Sequence, residues 1–180
     1  KRIGLLLLLV VLAAGSVWGE NKVLSLDGDG DYVSSNSTDL NIADDLTISA
    51  WIKPYSFVDW PGIVTNLQDN GGEESGYGLF YYPDANGMMW WISTQDSAPN
   101  NYASFPNVSV DLDQWTHLAG TYSSASGEMK LYKNGALVGS KGITGNINWD
   151  YAPDDCRLGN YHDSNEDYFF EGVIDEVRIW

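Results

Sequence analysis

Residues 129–138 read Met-Lys-Leu-Tyr-Lys-Asn-Gly-Ala-Leu-Val and give the clearest local signal in the chain. The pair Asn134-Gly135 stands near the centre of this stretch. Asn-Gly tolerates the positive φ angles of a type I′ turn, whose twist matches that of a β-hairpin. The stretch therefore predicts two antiparallel strands joined by a tight turn.

An alternating pattern predicts another strand over residues 46–53. Successive side chains of a strand point to opposite faces, which puts Leu46, Ile48, Ala50 and Ile52 on one face and Thr47, Ser49, Trp51 and Lys53 on the other. The first face is apolar and predicts a buried core. Trp51, on the second face, needs separate cover.

Short runs rich in Val, Ile, Thr, Trp and Tyr continue along the chain, separated by clusters of Gly, Asn, Asp and Ser, with no sustained helical period. The predicted strands are 22–26, 31–34, 46–53, 62–66, 76–82, 87–93, 115–122, 128–132, 136–140, 157–159 and 169–180. Many short strands without helices predict an all-β fold, a two-sheet antiparallel jelly-roll sandwich. The segment 152–167 is expected to be a polar loop.

The N-terminus has the pattern of an export signal. Lys1-Arg2 precede an apolar run over residues 3–14, and small residues then lead to Gly19. The run is shorter than the roughly 20 residues that a membrane span needs, and polar residues follow it, so a signal peptide is favoured over an anchor. We expect residues 1–19 to be removed and residues 20–180 to form one secreted or cell-surface domain. Because the chain starts without Met and stops within a strand pattern, we expect a part of a longer protein.

The 180 residues carry 9 Lys and Arg against 25 Asp and Glu, a formal charge of −16. Loss of Lys1 and Arg2 with the signal peptide leaves 7 − 25 = −18. This charge excludes nucleic acid and acidic membrane surfaces as main partners, whereas carboxylates are the oxygen ligands that Ca²⁺ prefers. Cys156 is the sole cysteine, so no intrachain disulfide forms, and a small buried hydrophobe is favoured over a nucleophile.

Five blocks resemble, in order, the laminin-G-like jelly roll of the concanavalin A-like superfamily. The blocks are residues 24–33, 46–54, 114–122, 130–139 and 170–180. The resemblance covers nearly everything after the signal peptide and implies the sandwich fold. It implies function more loosely, since this fold serves carbohydrate-binding, adhesive and structural modules.

The resemblance also implies a Ca²⁺ ion between the start of the domain and its last strand. Asp27, Asp29 and Asp31 alternate with glycines, which lets the backbone turn tightly and offer carbonyls beside the carboxylates. An EF-hand is excluded, because its twelfth position would be Thr38. The resemblance implies a site formed by Asp27, Asp31 and Asp175. The alternative is that these are turn and surface residues, with Asp27 making an Asx-type hydrogen bond.

A second, lower-ranked Ca²⁺ site follows from a resemblance to the pentraxins, which share the sandwich. Asp69, Asn70 and Asp163 match the ligand types of two pentraxin loops. Tyr161 stands where an acidic ligand is expected and His162 where an amide is expected, so the set is incomplete. Loss of one carboxylate from the six to eight oxygens that Ca²⁺ prefers weakens the site.

Adjacent aromatic pairs occur at Tyr81-Tyr82 and Trp90-Trp91. If their runs pair as neighbouring strands, one ring of each pair points into the core and the other outward. Outward rings suit the flat C–H faces of sugars, so Trp60, Tyr82 and Trp91 are the candidate ligand-binding residues. The alternative is that loops carrying Trp60 and Tyr102 cover this face.

Catalytic motifs are missing from the sequence. Glucanases of this superfamily place catalytic carboxylates at alternate positions of one strand, whereas Asp175 and Glu176 are consecutive. We therefore expect a secreted non-catalytic recognition module that binds glycan and holds a Ca²⁺ ion, which is either structural or assists binding. The alternatives are an adhesive or structural protein-binding domain without a sugar site and, after it, a glycosidase. Sequons at Asn36 and Asn107 matter only where the source glycosylates.

Overall fold

The structure is a computed structural model that describes residues 22–70, 73–96, 102–104, 108–151 and 155–180. The expected signal peptide over residues 1–19 and the sequon at Asn107 lie outside these ranges. The described part contains fourteen strands and two single-turn 3₁₀ helices, Thr38–Leu40 and Pro83–Ala85. None of the helices described is long and apolar enough to cross a membrane.

Two six-stranded antiparallel sheets form the sandwich. The first sheet has the order β1 (Leu24–Asp27), β14 (Glu171–Ile179), β3 (Asp45–Pro54), β8 (Thr116–Ser123), β9 (Glu128–Lys133) and β10 (Ala136–Gly142). The second has the order β2 (Val33–Ser35), β11 (Cys156–Leu158), β4 (Gly62–Asn70), β5 (Glu73–Tyr82), β6 (Gly87–Ser93) and β7 (Tyr102–Ser104). A separate hairpin joins β12 (Asn160–His162) to β13 (Asp167–Phe169). The predicted jelly-roll sandwich is confirmed.

The hairpin predicted from Asn134-Gly135 joins β9 to β10. Asn134 has a φ of 50° and Gly135 a φ of 79°, so both central residues take the positive φ that a type I′ turn requires. Lys133 and Ala136 are the first paired residues on either side of the turn. The local signal was sufficient to predict the hairpin because the turn chemistry sets its first pairs. An irregularity between Leu137 and Gly139 then shifts the register.

The core lies between the two sheets. The predicted apolar face of β3 is buried there, and its members are Leu46, Ile48, Ala50 and Ile52. Burial of each large aliphatic side chain contributes about 1.5–3 kcal/mol. Trp51 points to the outer side of the first sheet, where it stays 40% exposed and packs on His117 with ring centroids 5.2 Å apart.

Cys156 faces the same core and is buried. Burial raises the pKa of its thiol to about 12. The thiol is therefore protonated at physiological pH, which agrees with the prediction of a small buried hydrophobe.

The aromatic pairs divide as predicted. Tyr81 and Trp90 belong to the core between the sheets, and Tyr82 and Trp91 lie on the opposite face of the second sheet. That outer face carries a second apolar cluster, which we call the outer cluster. It consists of Leu67, Phe80, Met89, Trp91 and Tyr161, with Trp60, Tyr82 and Tyr168 packed against it.

Three strands were not predicted, namely β7, β12 and β13. Each has three residues, too few to show a period, and β12 begins and ends with polar residues. The expectation of a polar loop over residues 152–167 was therefore wrong at its C-terminal end, where the β12–β13 hairpin forms and covers the second sheet.

Candidate functional site

The β12–β13 hairpin lies directly over β4 because a glycine stands beneath it. A Cβ atom at Gly62 would overlap the backbone of Asn160 and Tyr161. The close approach also allows the Thr65 hydroxyl to donate to the Asn160 carbonyl at 2.7 Å. Gly62 thus permits the hairpin to pack onto the outer face of the second sheet.

The side chain of Asn160 holds the hairpin together from inside. It is fully buried, and its Nδ2 donates to Asp167 Oδ1 at 2.8 Å and to the carbonyls of Tyr161 and Tyr168 at 3.2 Å. Its Oδ1 accepts from Arg157 Nη1 at 2.8 Å. Because buried polar atoms are costly without partners, this network fixes the path of the hairpin.

The tip of the hairpin is organised by Asp163. Its Oδ1 accepts the backbone N–H groups of Asn165 and Glu166 at 2.9 and 2.8 Å. Gln68 Nε2 donates to Ser164 Oγ at 2.8 Å, which ties the tip to β4. Asp163 is only 4% exposed, and its Oδ2 has no hydrogen-bond partner in the described structure. A buried acceptor of this kind favours a donor or a cation from outside the chain.

Asp69, Asp163 and Glu166 lie within electrostatic reach of one another near this tip, and we call them the acidic rim. Burial raises the pKa of Asp69, and the charge of Asp163 raises it further. The Tyr161 hydroxyl, 3.5 Å from Asp69 Oδ2, opposes part of this increase. Burial also raises the pKa of Glu166, against a hydrogen bond from Tyr168, and Asp163 and Asp69 add to the increase. The carboxylates repel one another, so the rim favours cations and hydrogen-bond donors.

The outer cluster lies beside the rim on the outer face of the second sheet. The Trp60 ring lies 4.4 Å from Tyr82 and 6.2 Å from Phe80, measured between centroids. Phe80 meets Tyr161 edge-on at 5.1 Å, and the Tyr161 hydroxyl reaches Asp69. Phe80 and Tyr161 are themselves buried, so packed rings connect the partly exposed Trp60 and Tyr82 to the acidic rim on the same face of the second sheet.

The three predicted ligand-binding residues share this surface but differ in access. Trp60 and Tyr82 are partly exposed, whereas Trp91 is 2% exposed and packed within the outer cluster. Trp91 therefore has no free ring face for a ligand. The alternative was that loops carrying Trp60 and Tyr102 cover this face. Trp60 does pack against Phe80 and Tyr82 on it, and the side chain of Tyr102 lies outside the described part.

The residues of the first predicted metal site do not meet. In the β1–β14 register Asp27 pairs with Glu171 and Leu24 with Ile174, so Asp175 lies four positions, about 13 Å, along the strand from Glu171. Asp27 Oδ1 accepts the Asp29 N–H at 2.9 Å, which is the Asx-type bond of the alternative interpretation. Asp31 is exposed. The prediction that Asp27, Asp31 and Asp175 converge on one ion was therefore wrong, because this register keeps Asp175 away from Asp27.

Two residues of the second predicted metal site, Asp69 and Asp163, lie within electrostatic reach of each other. Asn70 ends β4, and its side chain lies outside the described part. Tyr161 packs in the outer cluster, and His162 Nδ1 lies 3.4 Å from Asp167 Oδ1. Across the described ranges, no three His, Cys, Asp or Glu side chains are grouped to hold a metal ion.

Sequence reasoning missed several members of the surface. Glu166 and Tyr168 come from the unpredicted hairpin, and Glu74 is buried opposite Asp69 in the β4–β5 register. A signal was present, since Tyr161 and Tyr168 flank the turn-forming run Asp-Ser-Asn-Glu at residues 163–166.

The family is shown by a laminin G-type family model, described as the concanavalin A-like lectin/glucanases superfamily, which matches residues 27–180. The chain belongs to this superfamily. No match was found among curated proteins.

Three solved structures show the same fold. The CBM40 module of the Ruminococcus gnavus IT-sialidase, bound to α2,3-sialyllactose, is 14% identical with a TM-score of 0.66, over 90% of this chain and 92% of that one. Domains LG4-5 of the mouse laminin α1 chain are 13% identical with a TM-score of 0.63, over 86% and 40%. The heptameric SAP-like pentraxin of Limulus polyphemus is 19% identical with a TM-score of 0.54, over 87% and 74%. These neighbours share the lectin-type fold that the family model describes.

Proposed function

We propose that this domain is a secreted, non-catalytic carbohydrate-binding module whose ligand lies on the outer cluster and the acidic rim. One observation carries the proposal: the outer face of the second sheet carries two partly exposed rings, Trp60 and Tyr82, 4.4 Å apart. A line of ring contacts through Phe80 and Tyr161 leads from this pair to the Asp69 carboxylate farther along the same face. Rings stack on the C–H faces of sugars, and carboxylates accept from sugar hydroxyls. Secretion is inferred from the signal-peptide pattern of residues 1–19.

We propose further that Asp69 and Asp163 would hold a Ca²⁺ ion. The donor set fits in part, because Asp163 offers a buried oxygen without a partner and Asp69 adds a second carboxylate. Ca²⁺ takes six to eight oxygens, so amides, carbonyls, water or sugar hydroxyls would complete the set. A bound ion supplies positive charge that offsets the repulsion between the carboxylates.

A glycan array, read once with Ca²⁺ and once with EDTA, tests the proposal. We expect glycan signals that Trp60→Ala or Tyr82→Ala lowers about tenfold or more, the loss typical of a central aromatic contact. Trp51→Ala is the matched control, since Trp51 is an exposed tryptophan on the first sheet and should leave binding unchanged. An array that stays blank under both conditions counts against a sugar site and favours the adhesive or structural alternative.

Hydrolysis is the second candidate, because a carboxyl group of raised pKa beside another carboxylate is the pattern of a glycosidase pair. Such a pair must flank the bond that is cleaved. The rim lies at one end of the aromatic surface, so we expect no reducing ends to be released from oligosaccharides. Release that stops in the variant Asp163→Asn would establish catalysis instead.

A further inference from the structure

Basic residues are distributed unevenly between the two sheets. No Lys or Arg occurs between Pro54 and Met129, a stretch that includes all of β4, β5, β6 and β7. Six of the seven basic residues after Arg2 lie on or beside strands of the first sheet, namely Lys22, Lys53, Lys130, Lys133, Lys141 and Arg178. The second sheet is left with Arg157 alone.

Arg157 is already engaged within the protein. Its Nε donates to Asp155 Oδ1 at 2.7 Å, its Nη1 donates to Asn160 Oδ1, and its guanidinium stacks 4.6 Å from the Tyr32 ring centre. The side chain is 11% exposed. Since these contacts hold the guanidinium among protein partners, Arg157 is not available to pair with an acidic ligand.

The surface therefore offers acceptors where a ligand would bind. Asp69, Asp163 and Glu166 are acceptor-only when ionised, and Asp163 Oδ2 has no partner of its own. Hydroxyl groups of an uncharged sugar donate to such oxygens. A sialic acid or sulfate group instead brings further acceptors and a negative charge, and the repulsion between like charges weakens its binding.

We propose that this surface selects uncharged oligosaccharides and rejects sialylated and sulfated ones. The inference rests on the proposed function and gives the ligand class of the same site. The selectivity should hold with or without Ca²⁺. One ion brings two positive charges, whereas the ionised rim carries three negative charges. The surface thus differs from the CBM40 module with which it shares a fold, since that module binds sialyllactose.

The test compares glycan pairs on an array, each pair differing only by a sialic acid or a sulfate, with lactose and 3′-sialyllactose as the reference pair. We expect the uncharged member of every bound pair to bind at least about tenfold more tightly, both in Ca²⁺ and in EDTA. Asp69→Asn and Asp163→Asn each remove one charge at nearly constant volume and should narrow this ratio about threefold or more. Asp44→Asn, an exposed change beside the first sheet, should leave the ratio unchanged.

Two failures can be told apart. If acidic glycans bind as tightly as their uncharged partners, the selectivity is wrong while the sugar site stands. A blank array overturns the sugar site, and the selectivity falls with it. Because Asp69→Asn keeps an acceptor for the Tyr161 hydroxyl, it remains a fair test if Asp163→Asn fails to fold.

Discussion

Two acidic regions of similar composition have different environments in this domain. The glycine turn, residues 27–31, is largely exposed at the edge of the first sheet, and Asp27 satisfies its own turn by accepting from Asp29. The acidic rim forms where the tip of the β12–β13 hairpin approaches the end of β4, and Asp163 keeps an unpartnered oxygen at 4% exposure. The two regions differ in burial and in an unmet hydrogen bond rather than in the number of carboxylates, and the proposed site is placed at the rim for these two reasons.

A second contrast concerns the neighbours of each region. Asp27 of the glycine turn pairs with Glu171, the first residue of β14, and the Ser56 hydroxyl donates to Glu171. The acidic rim instead continues through Tyr161 into the outer cluster. Carboxylates beside rings can bind a ligand that is polar at its edges and apolar on its faces. The turn also has a neighbouring ring, Tyr32, but the Arg157 guanidinium stacks on it at 4.6 Å.

The largest expected effect comes from removing the buried amide beneath the rim. Asn160→Ala deletes the donors to Asp167 and to two carbonyls, and it removes the acceptor of the largely buried Arg157 guanidinium, so we expect a loss of about 3 kcal/mol in the free energy of unfolding. Asp29→Ala in the glycine turn should change this free energy by less than about 0.5 kcal/mol. Urea unfolding of both variants measures the two values. Equal losses would show that the two regions contribute equally to the stability of the fold, which would contradict the contrast.

Much of the contrast was not predictable from the sequence, although the sandwich was. Alternation over residues 46–53 and the Asn134-Gly135 turn act locally, so they predict strands and a hairpin correctly. The site of Asp27 and Asp175 depended on the register between β1 and β14, which no local pattern encodes. The irregularity of β14 after Asp175, where Glu176 has a φ of 49°, was equally hidden.

The acidic rim illustrates a different limit. The pentraxin resemblance selected Asp69 and Asp163 by residue type, and the structure brings them together. The β12–β13 hairpin was not predicted, although a turn-forming run at residues 163–166 was a signal for it, because its strands have three residues each and its anchor is the buried amide of Asn160. Long-range packing, rather than periodicity, creates the environment.

Calcium gives the next largest effect and separates the two regions directly. An ion present at a hundred times its dissociation constant stabilises the folded state by about 2.7 kcal/mol. We expect Ca²⁺ to raise the melting temperature relative to EDTA, and we expect Asp163→Asn to abolish the rise. Asp175→Asn should retain it. The reverse result, loss in Asp175→Asn alone, would restore the site near the glycine turn, and melting curves that coincide for the unaltered protein would exclude both sites.

The smallest effect should come from Asp69→Asn, measured in EDTA, and it should be stabilising. Burial and the charge of Asp163 raise the pKa of Asp69 in the folded state, so its ionisation is less favourable there than in the unfolded chain. This penalty is fully present above the raised folded pKa, shrinks as the pH falls towards the unfolded value, and is gone below about pH 3. We expect the variant to melt about 2 °C higher at pH 7 and to match the unaltered protein at acid pH. The control Asp31→Asn, on the exposed glycine turn, should shift the melting temperature at neither pH. A lower melting temperature of Asp69→Asn at pH 7 would show that the protein stabilises the ionised Asp69 carboxylate. The contrast with the glycine turn would then fail, because neither region would hold a destabilised charge that a ligand could neutralise.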